Sequence, residues 1–141
     1  PSRYEGKTEP LSLALERVRH AARPGSLIIV VSDFFSLDDD CNRHLSRLRL
    51  HNDVIGCQVL DRSEHELPDG RYPISDGHTS TIIDTGMSSD RKRFADMGQR
   101  HADEPRRLFL RHKCGWMVLH TDDDPVDLLG RELRMLVGRP A

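Results

Sequence analysis

The most apolar run in the chain lies just before residue 33. Positions 27–31 read Leu-Ile-Ile-Val-Val, a consecutive apolar run that is mostly β-branched. Such a run is typical of a strand that is buried on both faces in a parallel sheet. It ends at Ser32 and Asp33, and ligands and metals bind at the carboxyl ends of strands in open α/β sheets. The pattern therefore predicts a core strand with a candidate site at its end.

The remaining periodicity predicts a chain in which helices and strands alternate. Thr8 is expected to cap the first helix, residues 88–90 the third and Thr121 the last. Pro105 falls inside the third helix, and we expect a kink there, or a second helix capped by Asp103. The predicted elements are a helix over 8–22, the strand over 27–32, a helix from about 38 to 50, a strand over 54–60, a hairpin over 71–75 and 80–84, a helix over about 91–111, a strand over 116–120 and a helix after 121.

This order predicts an α/β fold. Alternating helices and strands form a mostly parallel sheet with helices on both faces, here a partial doubly wound sheet with a small β-hairpin insertion. The length of 141 residues suits a single domain over 1–141. Three core strands are few for such a sheet.

Composition narrows the class of partner. The 21 basic and 23 acidic residues nearly cancel, so nothing points to nucleic acid. No apolar stretch reaches the roughly 18 residues of a membrane span, so we expect no membrane contact from this segment. The cysteines Cys41, Cys57 and Cys114 are widely spaced, which favours buried thiols in a reducing, cytoplasmic compartment. The chain begins at Pro1 without Met, so we expect a piece of a longer protein, whose full length allows membrane attachment.

Several polar residues follow predicted strands and are the candidates for chemistry. Asp33 suits two roles about equally, as a Mg²⁺ ligand or as a cap for the helix that follows. Asp61 ends the second strand, where a turn role is favoured over a ligand role. His120 ends the third strand. The helix after Thr8 leads into the first strand, which places its hydroxyl near the same sheet edge as Asp33.

The acidic run at 121–124 (Thr-Asp-Asp-Asp) resembles a metal cluster in composition. We favour a structural interpretation, because a capping Thr and acids in the first turn stabilise a helix start. No glycine-rich phosphate loop, Gly-x-Ser-x-Gly motif or H-E-x-x-H pattern is present.

Short motifs follow one another in order along nearly the whole chain. They are 30–35 (Val-Val-Ser-Asp-Phe-Phe), 51–55 (His-Asn-Asp-Val-Ile), 59–61 (Val-Leu-Asp), 66–68 (Glu-Leu-Pro) and 121–125 (Thr-Asp-Asp-Asp-Pro). This ordered set resembles the bacterial "domain of unknown function 58" family, which is similar to von Willebrand factor A domains.

The resemblance implies a doubly wound sheet with a metal-ion-dependent adhesion site at its carboxyl edge. Such a site uses Asp-x-Ser-x-Ser after the first strand, a Thr from a second loop and an Asp after the fourth strand. Asp33 matches the last of these and Thr8 the second. Asp-x-Ser-x-Ser is absent from the sequence, so the chain resembles the C-terminal part of the domain without its first strands. We expect no cofactor in this fragment, and Mg²⁺ only if preceding residues supply the other ligands.

The function expected from the resemblance is a non-catalytic protein-interaction module that associates with a MoxR-type AAA+ ATPase in complex assembly. The alternative is a small metal-dependent hydrolase that uses Asp33, Asp61 and His120. Without the missing strands, the Leu27–Ser32 strand becomes a bare apolar edge, so we also expect a homodimer through that strand.

Overall fold

The computed structural model describes residues 9–64, 67–75 and 80–137. Within these ranges the elements follow the predicted order. They are α1 (Leu11–Ala21), β1 (Leu27–Ser32), α2 (Asp40–Arg49), β2 (Asp53–Leu60), a 3₁₀ turn (Arg62–Glu64), β3 (Arg71–Ser75), β4 (Ser80–Asp84), α3 (Ser88–Arg111), β5 (Gly115–His120) and α4 (Pro125–Val137).

Two sheets are present in the described ranges. The strands β1, β2 and β5 form a parallel sheet in that order, with Ile29 beside Ile55 and Gly56 beside Trp116. The strands β3 and β4 form a separate antiparallel hairpin. The fold is therefore mixed α/β, with a three-stranded parallel sheet flanked by helices and a small two-stranded sheet, which confirms the predicted fold class.

One face of the parallel sheet carries the larger core. Ile28 and Val54 point to this face and pack against apolar side chains of α1, α2 and α3. An aromatic cluster closes it near β5, where the ring of Phe34 lies 5.5 Å from that of Phe109 and 5.2 Å from that of Trp116, measured between centroids. Aromatic contacts at these distances and inclined angles are favourable beyond the area that they bury.

The opposite face carries a smaller core beneath α4. Ile55, Cys57 and Met117 are buried there, and Leu129 and Leu133 of α4 pack against them. Helices thus cover both faces, as predicted.

The apolar strand β1 is only half covered. Leu27, Ile29 and Val31, here called the β1 strip, are 53%, 37% and 61% exposed. They lie on the same face as Ile55 and Cys57, their neighbours on β2, but α4 covers β2 and β5 and leaves β1 open. The prediction that this strand is buried on both faces was wrong, because α4 does not extend over β1.

The helix α3 runs unbroken through Pro105, so the alternative of a second helix capped by Asp103 was wrong. Proline has no N–H, so the carbonyl of His101, four residues earlier, loses its helical partner. Gln58, fully buried on β2, donates its Nε2–H to that carbonyl across 3.3 Å. The tertiary hydrogen bond replaces the missing helical one, and the helix continues.

Three helix starts differ from the prediction. The helix α3 begins at Ser88 with Met87 as its N-cap and without a side-chain cap, so residues 88–90 do not cap it. Asp124, not Thr121, caps α4, because its Oδ1 accepts the N–H of Val126 at 2.8 Å. The helix α1 begins at Leu11 after Pro10. The predicted cap Thr8 lies outside the described residues.

Gly56 offers a test of the packing between β2 and β5. A Cβ at this position would lie 2.5 Å from Cζ3 of Trp116 and 2.9 Å from Cδ1 of Phe109. We expect Gly56→Ala to lower the free energy of unfolding by about 1–3 kcal/mol in urea titrations, because the rings are held in a packed core.

The control is Gly130→Ala in α4, where the nearest atom, Nη2 of Arg134, lies at 3.6 Å. Alanine there should raise stability by about 0.5–1 kcal/mol through helix propensity. A Gly56→Ala variant as stable as the wild type would contradict the close packing described above.

Candidate functional site

The carboxyl edge of the parallel sheet brings the predicted site residues to one end of the molecule. Asp33 follows β1, Asp61 follows β2 and His120 ends β5. Because β2 lies between the other two strands, Asp33 and His120 stand on opposite sides of it. Thr8, predicted as a metal ligand with Asp33, lies outside the described residues.

Asp33 acts in the turn that leaves β1. Its Oδ1 accepts the N–H of Phe35 at 3.1 Å and the hydroxyl of Ser32 at 3.4 Å. The hydroxyl of Ser32 in turn accepts the N–H of Phe34 at 2.9 Å. The alternative role for Asp33 was to cap the helix that follows. Asp38 fills that role instead, because its Oδ1 accepts the N–H of Cys41 in the first turn of α2 at 3.1 Å. Asp33 is therefore an exposed carboxylate that closes its own turn.

The two phenylalanines after Asp33 point in different directions. Phe34 has a φ of +62°, an unusual backbone for a bulky residue. Its ring is 1% exposed and enters the aromatic cluster. Phe35 is 65% exposed and stacks on His101, with ring centroids 3.8 Å apart. Burial of the first ring holds the strained turn and leaves the second ring at the surface.

His101 ties α3 to this turn. Its Nε2–H donates to the main-chain carbonyl of Asp33 across 2.9 Å, while its ring covers Phe35. Its own carbonyl receives the hydrogen bond from Gln58. One residue of α3 thus contacts both the end of β1 and the middle of β2.

Asp61 forms a second closed turn. Its Oδ1 accepts the N–H of Ser63 at 2.8 Å and its Oδ2 accepts the hydroxyl of Thr121 at 2.7 Å. Hydrogen bonds from Ser63, and then from Thr121, lower the pKa of Asp61 to about 2. The carboxylate is stabilised in its ionised form, in the turn role that was favoured from the sequence.

The acidic run after β5 is also used within the fold. Asp122 pairs with Arg62 at 2.8 Å, Asp123 accepts the main-chain N–H of His120 at 2.8 Å, and Asp124 caps α4. The structural interpretation of residues 121–124 is confirmed for these contacts, although Thr121 binds Asp61 and does not cap the helix.

The geometry joins some of the candidates and separates others. Asp61 and Thr121 are in contact, whereas the contacts of Asp33 are with its own turn and with His101. Within the described ranges no group of three His, Cys, Asp or Glu side chains is placed to hold a metal ion.

The three cysteines are free and buried, as predicted. Burial raises the pKa of Cys41 to about 11 and that of Cys114 to about 11, and it also raises the pKa of Cys57. Nucleophilic chemistry needs the thiolate. These thiols therefore serve as small core side chains.

Sequence reasoning overlooked Gln58 and His101, which position this edge. A signal for Gln58 was present: a lone amide inside a buried strand, together with a proline inside a helix. The proline leaves one carbonyl unpaired, and a buried amide needs a partner. No comparable signal marked His101, one of several histidines on polar helix faces.

The structure defines an α/β protein whose parallel sheet ends in carboxylate-closed turns. The model of the family described as "Protein of unknown function DUF58" matches residues 2–104, which is most of the chain. The chain therefore belongs to this family, as its motifs indicated. No curated protein and no solved structure matches it.

No helix within the described ranges is both long enough and apolar enough to cross a bilayer.

Substitutions of Asp33 separate a turn role from a metal role. Asp33→Asn keeps an acceptor for the N–H of Phe35 and should leave the free energy of unfolding nearly unchanged. Asp33→Ala removes the acceptor and should lower it by about 1 kcal/mol. We expect isothermal titration of the wild-type chain with Mg²⁺ to show weak binding or none. A micromolar Mg²⁺ or Mn²⁺ site that Asp33→Asn abolishes would contradict the turn role.

Thr121→Val tests the source of the low pKa of Asp61. Without the hydroxyl, this pKa should rise from about 2 toward the ordinary 3.8, yet stay below it because Ser63 still donates. NMR titration of the carboxyl carbon measures the change, with Thr81→Val on β4 as the control.

The sign of the linked stability follows from the lowered pKa. The contribution of Asp61 is fully present above the ordinary pKa of 3.8 and is lost as the pH falls through about 2. Thr121→Val should therefore shrink the stability difference between neutral and acidic pH. An unchanged Asp61 titration in the variant would show that the 2.7 Å contact does not contribute.

Proposed function

We propose that this chain is a non-catalytic protein-interaction module, and that it forms the C-terminal portion of a von Willebrand factor A-like domain. The main observation in its favour is the exposure of the β1 strip. Its three apolar side chains stand open on a sheet face that α4 covers elsewhere. Exposed apolar surface that is continuous with a packed core is typical of an interaction site.

The carboxyl edge supports a non-catalytic role. Asp33 and Asp61 each accept a main-chain N–H in a tight turn, so one oxygen of each carboxylate already stabilises the backbone. A carboxylate that acts as a general acid or base has its pKa tuned toward its operating pH. The pKa of Asp61 is shifted the other way, to about 2.

The proposed partner is a MoxR-type AAA+ ATPase, in a role in complex assembly. The family resemblance implies this class of partner, and the β1 strip is an exposed apolar surface to which such a partner could bind. The proposed compartment is the cytoplasm, with membrane attachment possible for a full-length protein. We propose Mg²⁺ binding only if residues that precede this chain supply further ligands. Those ligands would complete an adhesion-type site with Thr8 and Asp33.

The second candidate remains a small metal-dependent hydrolase that uses Asp33 and neighbouring carboxylates with His120. The observation that favours it is that Asp33, Asp61 and His120 all stand at the carboxyl ends of neighbouring parallel strands. Hydrolysis of a panel of phosphate and acyl esters that is lost in Asp33→Ala, but not in Asp53→Ala at the opposite end of β2, would favour it.

The double substitution Ile29→Thr and Val31→Thr tests the interaction module. Threonine keeps the β-branched shape that suits a strand while removing apolar surface. We expect about a tenfold loss of affinity for a MoxR-type AAA+ ATPase of the same organism, measured by biolayer interferometry with ATP present.

Ile82→Thr is the matched control, because Ile82 is 69% exposed on β4, in the separate hairpin sheet. It should bind as the wild type does. Absence of binding by the wild-type chain, or equal losses in both variants, would contradict the proposed use of the β1 strip.

A further inference from the structure

The N-terminal half of α3 projects beyond the carboxyl edge of the parallel sheet. His101 contacts the carbonyl of Asp33, directly after β1, so the residues of α3 that precede His101 extend past this edge. At a rise of 1.5 Å per residue, residues 88–100 reach about 20 Å beyond it. Nearly all of them are exposed. This part of the helix is here called the α3 arm.

The hairpin sheet and the loop before it support one side of the α3 arm. Arg91 donates its Nε–H to the carbonyl of Thr85 at 2.9 Å, and its Nη2 lies 2.7 Å from Oδ1 of Asp69. These contacts attach the first turns of the arm to the loop after residue 67. A cleft remains between this loop and the following turns of the helix.

This cleft, here called the α3 cleft, has a volume of about 480 Å³ and a mainly apolar lining. Binding clefts in proteins commonly measure about 300–1,000 Å³. Leu67, Phe94, Ala95 and Ala102 supply the apolar lining. Thr85 also lines the cleft, but its hydroxyl already donates to a carbonyl at 2.6 Å. The α3 cleft therefore suits apolar side chains.

The α3 cleft lies away from the β1 side of the sheet. The helix α3 packs on β2 and β5. The helix α2 stands between α3 and α1, because Asn42 bonds to His112 on one side and Asp38 bonds to Ser12 on the other. Strands added beside β1 would extend the sheet in the opposite direction. The α3 cleft therefore does not depend on what pairs with β1.

Basic side chains border the α3 cleft at both ends. Lys92 lies three residues before Ala95, and Arg106 lies four residues after Ala102, so helical periodicity places both on the cleft side of α3. Both are exposed, and neither forms an ion pair within the described ranges. The 14 residues between them span about 21 Å, or four helical turns.

The neighbouring acids do not cancel this charge. Asp103, on the same helix, pairs with Arg107 at 3.6 Å. The outer surface of the α3 arm carries Asp96 together with three basic side chains, Lys92, Arg93 and Arg100. The border of the α3 cleft is therefore positive over its whole length.

We propose that the α3 cleft binds an acidic amphipathic helix of a protein partner, with apolar side chains in the cleft and carboxylates at Lys92 and Arg106. The inference goes beyond the proposed function, because it assigns a second surface, separate from the β1 strip, and states the chemistry of its partner.

The shape of the cleft favours a helical occupant. The α3 cleft runs along a helix, and the small side chains of Ala95 and Ala102 allow a second helix to approach closely. An amphipathic helix that places its apolar face in a groove is a common mode of peptide recognition. Its acidic residues would pair with Lys92 and Arg106, which fixes the charge of the partner.

Other occupants fit less well. The terminal segments 1–8 and 138–141 of this chain are net basic, so the border of the cleft would repel them. A second copy offers acidic runs at 38–40 and 122–124, but most of these carboxylates are engaged within their own turns. A nucleic acid would leave the apolar lining unused and would bring phosphates close to Asp96.

Three designed 18-residue helical peptides test the chemistry of the partner. They share one leucine face, with leucine at helical spacing, and carry Glu, Gln or Lys on the polar face. Fluorescence anisotropy measures their binding to this chain. We expect the Glu peptide to bind about tenfold more tightly than the Gln peptide, and the Lys peptide to bind most weakly.

Two substitutions test the location of the site. Ala95→Glu places a carboxylate in the apolar lining, and Lys92→Glu reverses the charge at its border. Each should weaken binding of the Glu peptide about tenfold. Ala14→Glu on α1 and Arg47→Glu on α2 are matched controls at exposed helix positions and should bind as the wild type does. Thermal unfolding establishes that each variant is folded, and Lys92→Glu decides the test if Ala95→Glu unfolds.

NMR amide shifts map the contact directly. The Glu peptide should shift the signals of Leu67 and of residues 91–102. Shifts centred on the β1 strip, equal binding of the Glu and Lys peptides, or no binding of the Glu peptide would overturn the inference. A duplex oligonucleotide that displaces the Glu peptide and binds Lys92→Glu more weakly would assign the surface to nucleic acid instead. Failure of the ATPase to bind would bear on the proposed function alone.

Discussion

The hydrogen bond from the Gln58 side chain to the carbonyl of His101 connects β2 to α3 at the point where Pro105 interrupts the helical hydrogen bonds. Pro105 leaves that carbonyl without its helical partner. With the bond in place, α3 continues to Arg111 and brings Phe109 to the aromatic cluster. The same stretch of helix positions the His101 ring over Phe35 and its Nε2 on the carbonyl of Asp33. The geometry of the sheet edge thus depends on a contact between β2 and α3.

Local pattern was sufficient to predict much of this fold. The strand β1 and both strands of the hairpin have the predicted bounds, because each is a short run bounded by residues that favour turns. The wrong alternative, a second helix starting after Asp103, has a different origin. Whether a proline breaks a helix depends on whether its orphaned carbonyl finds a partner, and that partner lies 43 residues away in sequence.

In the candidate site, too, local sequence predicted which residues follow the strands but not the contacts that depend on how the strands pair. The ordering of Asp33 and Asp61 after parallel strands followed from the sequence, and so did the turn role favoured for Asp61. The choice between Thr121 and Asp124 as the cap of α4 did not, since both suit an N-cap chemically. Thr121 instead donates to Asp61, on another strand end, and that contact exists only once β5 lies beside β2. Membership of the family fixes the type of chain without assigning chemistry to this edge.

The strand order β1–β2–β5 has a consequence for how the chain folds during synthesis. The strands β1 and β2 are joined by a short crossover through α2, so this unit consists of local contacts and is expected to form early. The neighbour of β2 on its other side, β5, emerges only after the hairpin and the long helix α3. Until β5 is synthesised, the edge of β2 that faces away from β1 has no paired strand. A nascent chain with such an open edge is prone to misassembly.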